Sequence, residues 1–253
     1  MRRQVDPAGP IVVLSYAHAG AETVADVLSA SPSLACTSGT GLIPACHAAV
    51  AAWRAIERAD TGPSALAVKS VRMLATVMMA SIQAGAGASR WCETSTAAPA
   101  AAATFLRIFP SATMICLHRQ LAAVLAEGMA AHPWGLGGSP FWPYAGSHPG
   151  NNVATIASYW VAFTESLLEF EEGHSHCTMR IKYEDLSGQR DQTVKAIYEF
   201  LGVEDVEVPA PSVLREIPVA RYDDATFAEQ LQWLPEQLRR RVDSLHMKLG
   251  YAR

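Results

Sequence analysis

Ile11-Val12-Val13-Leu14 is the first strongly patterned stretch of the chain. Four apolar, mostly β-branched residues are too few for a helix and fit a parallel strand buried on both faces. Ser15 to Thr23 is a small-residue stretch around Gly20, and beyond it Val24, Val27 and Leu28 recur at helical spacing. The pattern predicts strand, tight loop, helix over 11–29, closed by Ser31-Pro32-Ser33. A helix is predicted over 43–59, with Cys46, Val50, Trp53 and Ile56 on one face. Another runs from Ser64 to about Ala84 on a stripe of Val68, Val71, Leu74, Met78 and Ile82, with Met78-Met79 as core filler. Arg90 to Glu93 reads as a strand, Pro99 to Phe109 as a helix, Thr113 to Leu117 as a buried strand and Leu121 to Met129 as a helix. Ala157 to Glu172 is helical, Cys177 to Tyr183 alternates like a strand, and a helix through Val194, Ile197, Tyr198 and Leu201 is closed by Gly202. A Pro-rich connection over 208–218 leads to a last helix from Pro235 to Leu249, closed by Gly250. Strands alternating with helices in this way predict a parallel sheet with right-handed crossovers.

One segment breaks the pattern. His132 to Asn152 is dense in Gly, Pro and aromatics, among them Trp134, Phe141, Trp142 and Tyr144. A loop of this length predicts a lid or binding loop, the alternative being a surface excursion that packs only on itself.

Composition narrows the class. Of 253 residues, 50% are hydrophobic and 17% charged, which supports a substantial core and excludes a disordered chain. The net charge of -4 excludes a case for nucleic-acid binding, so any anionic ligand has to be held by local donors. Five scattered cysteines, none in a C-x-x-C pair, read as free thiols of a reducing, cytoplasmic compartment. Met1-Arg2-Arg3 precedes no apolar run, so no signal peptide is predicted. No stretch approaches ~18 apolar residues without a polar break, so neither a membrane helix nor a membrane partner is expected. No cluster has metal-ligand spacing.

The loop after the first strand carries the first chemical signal. A strand-loop-helix turn aims backbone N–H groups and the positive end of a helix dipole at one spot, which suits phosphate or sulfate. It is not a Walker A loop, because no Lys follows Gly20, and the dinucleotide glycines are absent. A plain strand-to-helix turn is the other reading.

Further phrases fall into order along the chain. Tyr16-Ala17-His18-Ala19-Gly20-Ala21 is followed by Leu28-Ser-Ala-Ser-Pro32 and Ile43-Pro44. Then come Glu93-Thr-Ser-Thr96, Phe109-Pro110, Met114-Ile-Cys-Leu117 and Arg119-Gln120-Leu121. Trp160, Arg180-Ile-Lys-Tyr-Glu-Asp-Leu186, Phe200-Leu-Gly-Val203 and a closing Leu249-Gly250-Tyr251 complete the series. From about residue 10 to 251 the chain resembles the sulfotransferases that use 3′-phosphoadenosine 5′-phosphosulfate (PAPS), the bacterial and tyrosylprotein types in particular. The resemblance implies a P-loop-like three-layer α/β domain, with a central parallel sheet flanked by helices and the whole chain as one domain. It implies sulfuryl transfer from PAPS to a hydroxyl of a small acceptor, phenolic or aromatic if the aromatic lid forms its site, without a metal.

The resemblance also assigns residues. Ala19, Gly20, Ala21, Glu22 and Thr23 take the loop positions whose N–H groups wrap the 5′-phosphosulfate. His18 stands where the family has a Lys or Arg that offsets charge on the leaving oxygen. Arg119 matches the arginine that grips the 3′-phosphate. Glu127 replaces a serine on that phosphate, and a carboxylate there repels it unless it turns away or pairs with a cation. Ala21, Gln120-Leu121 and Thr94-Ser95-Thr96 also depart from the family phrases, and Thr37 to Gly41 lacks the acidic base of the tyrosylprotein type. The base is therefore sought among His47, His118, His132, His148 and Glu93. Arg215 or Arg221-Tyr222 stand nearest to the family's C-terminal nucleotide loop. Tyr183 and Asp185 are expected to be structural. A second hypothesis keeps the fold without PAPS use, as a different enzyme or a non-catalytic small-molecule-binding module.

Overall fold

The computed structural model describes residues 9–57, 65–203 and 224–251. Strands β1 (Ile11–Leu14), β2 (Leu34–Ser38), β3 (Arg90–Ser95), β4 (Thr113–His118) and β5 (Thr178–Lys182) form one sheet in the order β2-β3-β1-β4-β5. All the pairings are parallel. Parallel strands need a crossover between them, and helices supply these. The helices are α1 (Ala21–Ser29), α2 (Leu42–Glu57), α3 (Ala65–Ala86), α4 (Pro99–Ile108), α5 (Leu121–Ala131) and α6 (Asn152–Gly173). They continue as α7 (Tyr183–Gly188), α8 (Arg190–Leu201), α9 (Asp224–Gln232) and α10 (Glu236–Leu249).

Alternation along the strands makes two cores. Ile11 and Val13 of β1, with Ile115 and Leu117 of β4, pack with α1, α5, α6, α8 and α10. Val12, Leu14, Met114 and Cys116 face the other way, onto α2, α3, α4 and the last turns of α6. The sheet is thus the middle of three layers, as the sequence pattern and the resemblance both imply. β1 is the strand on either side of which the order runs outward. Its carboxyl end is where open sheets of this kind place ligands.

Several elements differ from the pattern-based expectation. β2 was not predicted; Cys36 and Thr37 are only partly buried on this edge strand, which blurs the signal of a buried run. α9 and α7 were also not predicted. α6 begins at Asn152, earlier than expected, because the Asn151 side chain accepts the Ala154 N–H and caps it. On α3 the buried stripe is Ala67, Val71, Ala75 and Met79, whereas Leu74 and Met78 are exposed. Small alanines let that face approach its neighbours closely, and a stripe drawn through the large residues is displaced by one position. Met79 fills core but Met78 does not.

α3 also qualifies the expectation of no spanning segment. By length and composition it is apolar enough to cross a membrane, with a mean hydropathy of 1.5 in its best window. Within the fold one stripe packs on α2, α4, β2 and β3, and Leu66, Met73, Leu74 and Val77 face outward. The 208–218 connection, Arg215, Arg221 and Tyr222 lie outside the described residues.

Arg90 ties the amino ends of the strands together. It is 3% exposed, and its guanidinium donates to the carbonyls of Gly9 and Leu201 (2.6 Å) and to Thr113 Oγ1 (3.3 Å). Those acceptors lie before β1, at the end of α8 and at the start of β4. Replacing Arg90 with Met strands buried carbonyls without a donor. Urea unfolding of Arg90→Met is expected to show a loss of roughly 2–4 kcal/mol.

Candidate functional site

A cavity of about 530 Å³ opens at the carboxyl ends of β1, β3 and β4. Its walls are the stretch Ser15 to Thr23, Ser38 and Gly39 at the end of β2, Thr94 to Thr96 at the end of β3, and Arg119, Glu127 and Tyr183. That volume suits a nucleotide-sized ligand.

The β1–α1 loop is shaped by three tyrosines. The Tyr16 hydroxyl is fully buried, donates to the Arg119 carbonyl (2.7 Å) and accepts the Arg119 N–H (2.7 Å). Trp160 Nε1 donates to both the Tyr16 hydroxyl (3.1 Å) and the Arg119 carbonyl (2.9 Å). The Tyr159 hydroxyl accepts the Ala17 N–H at 2.9 Å. Gly20 has φ +87°, and a Cβ there would lie 2.1 Å from the Tyr183 ring. Only glycine satisfies both the left-handed backbone and that close approach. The first turn of α1 then begins at Ala21, but of the five N–H groups expected to wrap a 5′-phosphosulfate two are already bonded locally: Thr23 N–H donates to the Gly20 carbonyl (3.1 Å) and Ala19 N–H to the Tyr16 carbonyl (3.0 Å). Ser15 Oγ is buried in the cavity wall without a hydrogen-bond partner.

His18 is the one non-glycine residue at positive φ, 62°, among the described residues. Its ring stacks on Phe141 (centroids 5.7 Å apart) and meets the His132 ring edge-on at 6.3 Å. Burial holds the His18 imidazole below its usual value of 6.5, against an upward pull from Glu127. The ring is therefore neutral at pH 7, unlike the permanent cation of the family position.

Arg119 is 2% exposed; each terminal nitrogen makes one contact, and Nε is buried without a hydrogen-bond partner. Nη1 donates to the His18 carbonyl at 2.8 Å, and Nη2 pairs with Glu127 Oε1 at 2.6 Å. The guanidinium lies over the Tyr183 ring, 4.0 Å from its centroid. Glu127 Oε2 stands 3.9 Å from His18 Nδ1. Glu127 thus neither turns away from the cavity nor stands alone: it neutralises the buried arginine.

The sequence profile described as the Sulfotransferase family matches residues 10–207. The chain belongs to the sulfotransferase family. No curated protein sequence matches it. Among solved structures it is similar to the sulfotransferase domain from the curacin biosynthetic pathway, at 15% identity and a TM-score of 0.61, over 96% of this chain and 98% of that one. A sulfotransferase from Alicyclobacillus acidocaldarius matches at 11% identity and TM-score 0.56, covering 97% of both chains. Mycobacterium tuberculosis sulfotransferase STF1 matches at 13% identity and TM-score 0.50, over 95% of this chain and 78% of that one. At these identities the likeness establishes the fold.

In this sulfotransferase the expected loop residues Ala19, Gly20, Ala21, Glu22 and Thr23 line the cavity together with His18, Arg119 and Glu127. The other expected catalytic residues do not line it. His47 sits on α2, where Nδ1 bonds Thr104 Oγ1 of α4 at 2.8 Å. Glu93 is 1% exposed behind the wall and accepts from the Thr40 hydroxyl, which in turn accepts the Leu42 N–H at the start of α2. Burial pushes the Glu93 carboxyl above the ordinary carboxylate range. Strand alternation turns it to the face opposite Thr94, which lines the cavity. Of the other base candidates, His118 is fully buried against Glu171 (2.6 Å), which also holds Arg180. His148 bonds Ser158 at 2.8 Å, and His132 alone stands beside His18.

The loop 132–152 is ordered by Phe141, which is fully buried against Gly128, Ile156 and Tyr159. A short 3-10 helix, Trp142–Ser147, follows it. Tyr144 packs on Tyr159, but Trp134 is 98% exposed and Trp142 58%. Only two of the four aromatics expected to contact an acceptor are turned inward. The roles of Tyr16, Tyr159 and Phe141 were not read from the sequence. A tyrosine directly after a buried strand, at the mouth of a small-residue loop, was the available signal.

Three measurements follow from this geometry. The His18 ring signal in NMR should titrate with a midpoint below 6.5, and lower still in Glu127→Gln, because the carboxylate's upward pull is removed. Burial also lowers the His246 value. Both histidines bind fewer protons folded than unfolded, so their contribution is present above about 6.5 and is lost as pH falls through the folded values. Urea midpoints should therefore drop on going from pH 7 to pH 5.5. Tyr16→Phe removes the acceptor of the buried Arg119 N–H, and its thermal unfolding should report a loss of about 1–3 kcal/mol.

Proposed function

We propose that this sulfotransferase moves a sulfuryl group from a nucleoside 5′-phosphosulfate, the PAPS class of donor, to a hydroxyl of a small acceptor. One observation carries the reading: a nucleotide-sized cavity bounded by the first turn of α1 and by Arg119, at the carboxyl ends of the central strands. The N–H groups of Gly20, Ala21 and Glu22 are the donors for the 5′-phosphosulfate, and Ser15 Oγ offers a further polar contact. The backbone donates whatever the side chain is, so alanines at these positions are compatible with the task.

His18 acts where negative charge develops as the sulfuryl group departs. A neutral imidazole contributes one N–H to the leaving oxygen, and an anionic donor beside it raises its proton affinity toward neutrality. The positive φ of His18 costs of order 1–3 kcal/mol, and the Arg119 bond to its carbonyl holds that conformation in place. His132, edge-on to His18, is the residue placed to take the acceptor's proton. Tyr144, partly buried on Tyr159, offers an aromatic surface on this side, which fits a phenolic or other aromatic hydroxyl. Residues 132–152 serve as the wall or lid on the acceptor side. The free cysteines fit a reducing compartment, so the cytoplasm is the location in this reading.

The test is transfer of radiolabelled sulfuryl from a mixture of PAPS and adenosine 5′-phosphosulfate to a panel of phenols and alcohols. Activity is expected on aromatic hydroxyls. His18→Ala is expected to lower kcat by about 100-fold, with donor KM changed only a few-fold. Unaltered kcat in that variant would remove His18 from the chemistry.

A further inference from the structure

We propose that Glu127 supplies, from within the protein, the anion that Arg119 clasps, and that the site therefore selects a nucleoside 5′-phosphosulfate whose 3′-hydroxyl is free over the 3′-phosphorylated form. This rests on the sulfuryl-donor reading above and narrows it.

Arg119 is nearly sealed from water, and a buried guanidinium is strongly destabilising without a partner. Its terminal nitrogens are used by protein oxygens, Glu127 at 2.6 Å and the His18 carbonyl at 2.8 Å. The ring of Tyr183 covers its face. Nη1 has a structural task, since it holds the loop at His18. Nη2 is the arm that Glu127 holds.

The charges of the wall point the same way. Among the described residues that line the cavity, Arg119 is the one permanent cation, against the two carboxylates of Glu22 and Glu127. A phosphate arriving at Arg119 meets a guanidinium whose charge Glu127 already neutralises. Glu127 is anchored on α5, so its carboxylate stays close to the two negative charges of that phosphate. Like charges at that range weaken binding. A ribose hydroxyl meets the opposite situation. It donates to a carboxylate, and a carboxylate held by a guanidinium keeps lone pairs for such a donor. Dinucleotide sites divide the same two ligands between the same two side chains: an acidic residue takes the ribose hydroxyl, and an arginine takes the phosphate ester of it. Here the arginine is spent on the acid, which leaves a site that reads hydroxyl.

Calorimetric titration decides the matter with adenosine 5′-phosphosulfate, adenosine 5′-phosphate and adenosine 3′,5′-bisphosphate. The wild-type protein should bind the 5′-phosphate at least tenfold more tightly than the 3′,5′-bisphosphate, and the 5′-phosphosulfate at least as well. In Glu127→Ser, which frees Nη2, the order should reverse. Glu127→Gln, which keeps the shape and one bond to Arg119, should bring the two affinities within about threefold. Tighter binding of the bisphosphate by the wild type would overturn the selection by Glu127 and leave the sulfuryl-donor reading standing. Binding of none of the three by folded wild-type protein would overturn both. An unchanged order in a folded Glu127→Ser would remove Glu127 as the selector. If that variant does not fold, the wild-type order and Glu127→Gln still decide.

Discussion

The Tyr16 hydroxyl is the point on which the site depends. It sits at the end of β1, fully buried, and binds both the N–H and the C=O of Arg119 at the end of β4. A single hydroxyl thereby locks the exits of two neighbouring parallel strands at a fixed separation. Trp160 of α6 braces the same pair from the helical layer. Burial pushes the Tyr16 phenol far above its usual range, which keeps it a proton donor at every working pH. The loop and the arginine that form the centre of the cavity wall hang from these two strand ends. The β1–α1 loop leaves from one, and Arg119 with α5 leaves from the other.

That bracket explains how the loop tolerates its unusual composition. Small residues supply no side-chain grip, so its shape is imposed from outside. Tyr159 receives Ala17 N–H, Arg119 donates to the His18 carbonyl, and Tyr183 presses on Gly20. Arg119 is therefore a scaffold residue of the loop, whatever it does for a ligand. Its burial demands a counter-charge, and Glu127 meets the demand from the next helix. The same pairing decides the electrostatics of the cavity, because it converts the strongest cation of the site into half of a neutral pair.

Catalysis of sulfuryl transfer is a matter of positioning and of stabilising charge on the departing oxygen. In the proposed reaction the arrangement around His18 would serve both needs. The residue is held at positive φ, stacked on Phe141 and flanked by His132 and Glu127, so its orientation is over-determined. Phe141 owes its own place to Gly128, where a side chain would meet the ring at 3.1 Å. The stretch 132–152 thus reaches His18 through the rings of Phe141 and His132, while its two tryptophans face solvent.

Much of the architecture was legible in the residues. The run Ile11 to Leu14, the helical spacing after Gly20, the run before His118 and the closing glycines at 202 and 250 each report a local rule, namely burial on both faces, helical period, or a left-handed cap. The order of short phrases carried the family, because each phrase marks a turn or strand end whose backbone needs are local. What the sequence could not decide was who meets whom. Glu127 beside Arg119, Tyr16 on a backbone far along the chain, His47 turned toward α4 and Glu93 turned behind the wall all depend on side-chain direction across separate elements. Strand alternation sends Glu93 and Thr94 to opposite faces of β3, yet which face opens on a cavity is set by how helices cover the sheet. Sequence determined the elements and their chemistry, since both are local. Tertiary packing alone decided that the carboxylate expected to repel a phosphate would be the partner that neutralises its arginine.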